Sequence, residues 1–248
     1  MFALIDLTSL LFVLFSSIAV VLASGSSGNS KVGLLAALPE IGIFGTYAGL
    51  IIMMSNMYDP ANLPPAIAVA FMPIMYASII GFVVVSMSSS RDQSEVPDAS
   101  WRPIAGAAFF LATISATFYE HAAVMLIPEA VLVVAVLIAM CLGSQHFSGR
   151  NDPSQILSIL PSIGLLTGGA GLILALINIS DPKSVGPALA IAVGGIMYTS
   201  LMKILWLLLS PSYAQQSDGA SPAIDWAPAR LAFFGLSILL IFLTFHLQ

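Results

Sequence analysis

Two threonines lie in glycine-rich stretches of an otherwise apolar sequence, where a side-chain hydroxyl could line a path for ions. Thr46 is four residues after Gly42 and three before Gly49, so the three residues share one face of a helix. Thr167 lies in a second stretch, where Gly164, Gly168 and Gly171 have the same spacing as Gly42, Thr46 and Gly49. One interpretation is a packing seam between membrane helices; the other is a hydroxyl beside a water-filled or ion-bearing cavity.

Titratable residues and prolines near these stretches are further candidates. Glu40 follows Pro39, and burial of its charge in a membrane is costly enough to suggest a channel role. It could instead be a first-turn acid that the helix dipole stabilises. Pro39 and Pro161 could be prolines of a first helical turn, where the missing N–H would be unpaired anyway. Lys203 interrupts a later apolar run, and snorkelling of its long side chain to the membrane surface would explain it.

The composition is that of a membrane protein. Hydrophobic residues make up 58% of the chain and charged residues 8%, which leaves too little polar surface to cover a soluble globule. The single cysteine, Cys141, excludes an internal disulfide. The sequence has no metal-ligand spacing, no catalytic or phosphate-binding motif and no basic patch. We therefore expect a lipid bilayer around the chain, and no enzymatic activity, cofactor, metal or nucleic-acid partner.

Apolar runs bounded by glycine, proline, serine and charged residues predict about eight transmembrane helices. They cover roughly residues 5–23, 34–55, 63–87, 103–119, 122–143, 156–178, 185–209 and 230–247. The runs are continuous rather than alternating, which favours helices over a barrel. The predicted fold class is therefore an all-α integral membrane protein. Only Tyr119, Glu120 and His121 separate the fourth and fifth runs, so these form either a tight hairpin or a re-entrant segment.

The sequence contains one helical hairpin twice. Residues 39–80 align without a gap with residues 161–202, an offset of 122 positions (161 − 39), and 18 of the 42 aligned residues are identical. This similarity predicts an internal duplication into two four-helix repeats, residues 1–121 and 122–248. Because four is an even number, both repeats would enter the membrane from the same side and be parallel.

The basic residues predict the orientation in the membrane. Those in or beside the loops after the first, third, fifth and seventh runs are Lys31, Arg91, Arg102, Arg150 and Arg230. The opposite side has only Lys183. The positive-inside rule places the first set of loops in the cytoplasm and both termini outside. The lack of Lys or Arg before the first run predicts no cleaved signal peptide.

The repeated hairpin resembles the third and fourth membrane helices of the MotA/TolQ/ExbB family, in particular its MotA- and PomA-like members. The similarity lies in PEIGIFGTYAGL at 39–50, the turn Asp59-Pro60, PAIAVA at 65–70 and Tyr76. In the second copy it lies in DPKSVGPALAIA at 181–192 and Tyr198. The family places this turn in the periplasm, in agreement with the orientation predicted from the basic residues.

The resemblance implies an oligomeric complex of the bacterial inner membrane in which ion flow drives mechanical work. It implies that the hairpins line the ion path, with candidate residues Thr46, Thr167, Pro39, Pro161, Glu40, Tyr76 and Tyr198. It also implies a single-span MotB-like partner that carries the proton-binding carboxylate. Both termini would then be periplasmic.

Two departures from the family leave other functions open. Pro73-Ile74 and Gly195-Ile196 stand where sodium-type members have a threonine pair, which favours protons or no conduction. The cytoplasmic domain of the family is reduced to short loops at 24–33 and 143–155. The prediction is a stator-like subunit conducting protons. The alternatives are a non-conducting scaffold or assembly factor of the same fold, and a small-solute transporter built on parallel repeats.

Overall fold

A computed structural model describes residues 6–25, 27–55, 63–86, 101–147, 153–178 and 182–210, together with residues 235 and 237. Within these ranges every regular element is helical. The elements are α1 (Leu7–Ser24), α2 (Ser27–Ser55), α3 (Leu63–Ser86), α4 (Arg102–Phe118), a 3₁₀ turn (Tyr119–His121), α5 (Ala122–Met125), α6 (Pro128–Phe147), α7 (Pro153–Ile177) and α8 (Pro182–Leu209).

The described helices have the length and composition of membrane spans. Six candidate spans fall on α1, α2, α3, α4 with the segment that follows it, α7 and α8, and α6 adds a shorter apolar helix at Pro128–Gly143. The predicted all-α membrane fold is confirmed. The predicted helix at 230–247 lies outside the described residues, except for two helical positions, Gly235 and Ser237.

A tight turn at Gly25 joins the first two helices. Gly25 has a φ of +74°, the left-handed region that favours glycine, and its N–H donates to the Val21 carbonyl at 3.2 Å. The loop predicted over 24–33 is wrong, because α2 begins at Ser27. A Cβ on Gly33 would lie 2.6 Å from the Ser24 hydroxyl, so α2 packs closely on α1 from its first turns.

The early starts of α2 and α7 change the environment of three candidate residues. Pro39 lies inside α2, 12 residues after Ser27 (39 − 27), and Glu40 follows it. Pro161 lies inside α7, eight residues after Pro153 (161 − 153). The interpretation of these prolines and of Glu40 as first-turn residues is therefore wrong. Packing extends both helices beyond the apolar runs that predicted them.

The chain divides into two compact units. Unit 1 comprises Met1–Thr46, Phe71–Ala122 and Leu201–Ala223; unit 2 comprises Tyr47–Ala70, Ala123–Ser200 and Ile224–Gln248. In unit 1 the ring centroid of Phe12 lies 5.9 Å from that of Phe44 and 5.5 Å from that of Phe118. Three helices therefore meet in one aromatic cluster, since Phe12 is on α1, Phe44 on α2 and Phe118 on α4.

A break between α5 and α6 is the main irregularity of unit 2. The Tyr198 hydroxyl accepts a hydrogen bond from the N–H of Ile127 at 2.8 Å and donates one to the carbonyl of Met125. It thereby satisfies backbone groups on both sides of the break. The fifth predicted helix, 122–143, is thus divided, and its long part begins at Pro128, a residue suited to a first turn.

Candidate ion path on the two hairpins

The chain has a first hairpin (α2 and α3) and a second hairpin (α7 and α8). Within each hairpin the two helices pack together through glycines, and the contacts occur at equivalent positions in both hairpins. In unit 1 a Cβ on Gly42 would lie 3.1 Å from the Cα of Ile74. In unit 2 a Cβ on Gly164 would lie 3.3 Å from the Cα of Ile196. Both residues of this contact shift by the same 122 positions that align the two sequences (42 + 122 = 164 and 74 + 122 = 196).

The same register continues one turn or more along each hairpin. Within unit 2, a Cβ on Gly49 would lie 3.1 Å from the Cα of Ala70, and a Cβ on Gly171 only 2.6 Å from the Cα of Ala192. Gly168, the remaining glycine of the predicted stripe, is buried. Backbones this close leave no room for a side chain at either glycine.

One contact in this register exchanges its large and small residues between the hairpins. In the first hairpin Gly45 faces Pro73, whose Cβ would be 2.7 Å from a Cβ on that glycine. In the second hairpin Thr167 faces Gly195, with 2.5 Å between the Thr167 Cβ and a Cβ on that glycine. The larger residue is therefore on the second helix of the first hairpin and on the first helix of the second.

The two candidate threonines differ in their hydrogen bonding. Thr46 is 1% exposed, and its hydroxyl has no hydrogen-bond partner in the structure. Thr167 is fully buried, and its hydroxyl donates to the carbonyl of Ile163 at 2.9 Å. An unpaired buried hydroxyl is costly, so Thr46 differs from Thr167 in having an unsatisfied polar group inside the helix packing.

The two tyrosines of the hairpins make equivalent anchoring bonds. The Tyr76 hydroxyl accepts a hydrogen bond from the N–H of Asp6 at 3.1 Å, as the Tyr198 hydroxyl does from that of Ile127. Asp6 immediately precedes α1, and Ile127 immediately precedes α6. Each tyrosine therefore fixes the start of the helix that comes before its own hairpin.

An ion pair inside unit 1 was not foreseen from the sequence. The Nζ of Lys203 lies 2.8 Å from the Oε1 of Glu40. The Glu40 side chain is 6% exposed and the Lys203 side chain 26% exposed. Lys203 was expected to reach the membrane surface, whereas the structure directs it to a carboxylate on α2. The two residues are 163 positions apart, and no local spacing in the sequence relates them.

The candidate residues thus fall into two groups. Unit 1 contains Pro39, Glu40, Thr46 and Tyr76, and unit 2 contains Pro161, Thr167 and Tyr198. Within the described ranges, no group of three or more His, Cys, Asp or Glu side chains is close enough to hold a metal ion.

The fold and the contacts define an α-helical, multi-span membrane protein with two hairpins, and the two helices of each hairpin pack closely on each other. Residues 28–96, which include α2 and α3, match the model of the MotA/TolQ/ExbB proton channel family. The predicted resemblance is therefore confirmed: this part of the chain is MotA/PomA-like.

Two relatives show the extent of the similarity. Chemotaxis protein PomA from Vibrio alginolyticus is 40% identical over 60 residues, which are 22% of this chain and 24% of that protein. Motility protein A from Cereibacter sphaeroides is 39% identical over 46 residues, 18% of each chain. The chain therefore spans about a quarter or less of the relatives that it matches. No solved structure matches it.

Proposed function

We propose that the chain is a subunit of an ion-conducting, stator-like complex of the bacterial inner membrane that couples ion flow to mechanical work. The observation that carries this proposal is the match of α2 and α3 to a proton channel family. The buried and unpaired hydroxyl of Thr46 adds a group on α2 that a water molecule or a hydrated proton could contact.

The conducted ion in this proposal is the proton. Dehydrated metal cations need several oxygen ligands at one place. Opposite Gly45 and Thr167 the hairpins offer Pro73 and Gly195, neither of which has a side-chain oxygen, and the Thr167 hydroxyl already donates to a carbonyl. Protons can pass along a few hydroxyls and waters, so a path poor in oxygen ligands disfavours sodium.

The two hairpins are proposed to derive from one duplicated four-helix repeat, residues 1–121 and 122–248. Their helix contacts keep the offset of the sequence alignment, as Gly42 with Ile74 and Gly164 with Ile196 illustrate. The hydrogen bonds of the two hairpin tyrosines are also equivalent. Both observations support a common origin.

The proposed complex is an oligomer and contains a single-span MotB-like partner, with both termini of this chain in the periplasm. The presence of two hairpins in each chain constrains the symmetry of such a complex. If each chain supplies two hairpins, a ring contains an even number of hairpins, so a five-hairpin ring could not close.

A non-conducting scaffold of the same fold is the second candidate. It is favoured by the close fit of Pro73 into the space before Gly45, which fills the interface of the first hairpin with carbon atoms. Such an interface suits permanent packing more than conduction.

Reconstitution tests the proposal. The chain would be purified with its candidate single-span partner, incorporated into vesicles containing a pH-sensitive dye, and given an imposed membrane potential. Acidification that requires both proteins supports a conducting stator-like complex. A stable complex that does not acidify the vesicles would favour the scaffold.

A further inference from the structure

The ion pair of Glu40 and Lys203 lies inside the apolar part of the chain. Glu40 is nine residues from Lys31, where the candidate span on α2 begins, and this corresponds to about 13 Å along a helix. Lys203 is six residues from Leu209, where the span on α8 ends, or about 9 Å. Glu40 is therefore far from either end of α2, and its Oε1 lies 2.8 Å from the Nζ of Lys203.

A buried ion pair is by itself a weak source of stability. Replacing a buried ion pair with apolar residues is often neutral or stabilising, because both charges lose their hydration. In the other copy of the hairpin, Glu40 is aligned with Ser162 (40 + 122). Lys203 immediately follows the aligned segment, and the residue at the same offset is Gly81 (203 − 122). Both counterparts are uncharged. The hairpins nevertheless share one register of glycine contacts. A charge pair present once, inside a membrane helix, therefore points to function.

A second buried polar group lies at the same level as Glu40. Along the antiparallel contact of α1 and α2, Val20 lies beside Gly33 and Phe12 beside Gly45. Ser16 is midway between the two α1 residues, which places it level with residues 39–40 of α2. Ser16 is fully buried, and its hydroxyl has no hydrogen-bond partner in the structure. Such a group is normally satisfied by water.

Of the other titratable groups of unit 1 that are described, Tyr76 is inside α3, where its hydroxyl accepts a bond from the N–H of Asp6, and Tyr119 is exposed. The remaining ones lie near the ends of helices. They are Asp6, which accepts a bond from the N–H of Ser9, Lys31, Arg102, Glu120 and His121. Thr46, with its unpaired hydroxyl, is six residues beyond Glu40, about 9 Å along α2. The described interior of unit 1 thus contains one ion pair and two unpaired hydroxyls. The hydroxyl of Ser16 is level with the ion pair, and that of Thr46 is farther along α2.

We infer that Glu40 is a proton-carrying carboxylate of this chain itself, with Lys203 as the group that holds it between transfers. This inference rests on the proposed function, since it assigns a residue to the proton path. A hydronium ion near Thr46 transfers its proton to the Glu40 carboxylate: one O–H bond of the hydronium ion breaks and leaves water, an O–H bond forms on the acid, and the ion pair becomes a neutral acid beside an ammonium group. The acid then releases that proton to a water molecule on its cytoplasmic side, which becomes hydronium as the O–H bond of the acid breaks, and the pair forms again.

Paired substitutions separate a proton carrier from a static contact between helices. Glu40→Gln alone leaves the half-buried Lys203 charge without its carboxylate and is expected to lower thermal stability. The double variant Glu40→Gln with Lys203→Gln removes both charges, and we expect it to regain stability. Its proton flux should nevertheless fall by about 100-fold or more, as for the loss of a proton-transfer group. Glu129→Gln, at an exposed position on α6, is the matched control and should conduct normally.

The outcomes of the vesicle assay distinguish the failures. A double variant that conducts like the wild-type complex would overturn this inference and leave the proposed function intact. A wild-type complex that does not conduct at all would overturn both.

Labelling of the unaltered complex provides a test that does not depend on the folding of a variant. Dicyclohexylcarbodiimide reacts with protonated carboxyl groups in apolar surroundings. We expect mass spectrometry to find the adduct on Glu40 and not on Glu129, with loss of flux in proportion to labelling. The absence of an adduct on Glu40 in a conducting complex, or full labelling of Glu40 with normal flux, would contradict the inference.

Discussion

Thr167 packs directly on Gly195, with its Cβ and Cγ2 each 2.5 Å from the position that a Cβ on the glycine would occupy. The equivalent contact in the first hairpin has the glycine on the other helix, as Gly45 against Pro73. In both hairpins a glycine on one helix faces a larger residue on the other, so the helices approach closely in each. The larger residue is on the second helix in the first hairpin and on the first helix in the second hairpin. Two differences that look unrelated in the sequence, the displaced threonine and the intrahelical proline, are therefore parts of one compensated contact.

A methyl group at Gly195 should destabilise the second hairpin. Gly195→Ala places a Cβ against Thr167, and overpacking of this kind costs about 1–3 kcal/mol. Thermal unfolding of the purified protein in detergent would measure it. Gly186→Ala on the same helix is the control, because nothing lies within 4 Å of a Cβ there. Equal stability of the two variants would show that the contact with Thr167 is loose.

Gly171 should be the least replaceable residue of the glycine stripe. Its Cβ would meet the backbone of Ala192, which cannot move aside as a side chain can. We expect Gly171→Ala to cost about 1–3 kcal/mol and Gly171→Leu to prevent assembly of the complex. Gly169→Ala on the same helix should be harmless, since a Cβ there contacts nothing within 4 Å. Size-exclusion profiles of the complex would check both, and an intact complex with Gly171→Leu would refute the packing.

Loss of the Tyr198 hydroxyl should weaken the start of α6. Tyr198→Phe leaves the Ile127 N–H and the Met125 carbonyl without this partner, at a cost of about 1–3 kcal/mol. Hydrogen exchange of the segment around Pro128 should accelerate, and the protein should unfold at a lower temperature. Tyr119→Phe, at a side chain 81% exposed, should change neither measurement. Unchanged exchange in Tyr198→Phe would mean that the break is held by other contacts.

The orientation predicted from the basic residues is testable with reporter fusions. Fusions after Ser90 and Asn151 should report the cytoplasm, and fusions at Asp59 and after Gln248 should report the periplasm. Alkaline phosphatase and green fluorescent protein at each site would give complementary signals. The reverse pattern would contradict the orientation predicted from the basic residues and weaken the analogy with the family hairpin.

The sequence predicts the helices better than it predicts their ends and partners. Long apolar runs and the stripe of Gly42, Thr46 and Gly49 predict membrane helices with one closely packed face, because periodicity and side-chain size are local properties. The start of α2 at Ser27 was missed, since packing on α1 makes a helix of a segment rich in glycine and serine. The pairing of Glu40 with Lys203 was missed because tertiary structure alone brings them together.

Proton flux through threonine variants is the most direct test of conduction along the hairpins. Thr46→Val keeps the shape of the side chain but removes the unpaired hydroxyl, so we expect flux in the vesicle assay to fall by about tenfold, or about 1.4 kcal/mol in the barrier. Thr167→Val removes a hydroxyl already bonded to a carbonyl and should reduce flux less. Thr113→Val on α4, where the hydroxyl also donates to a carbonyl, is the control. Flux that is unchanged in Thr46→Val and in the double variant Thr46→Val with Thr167→Val would contradict a proton path along these hairpins.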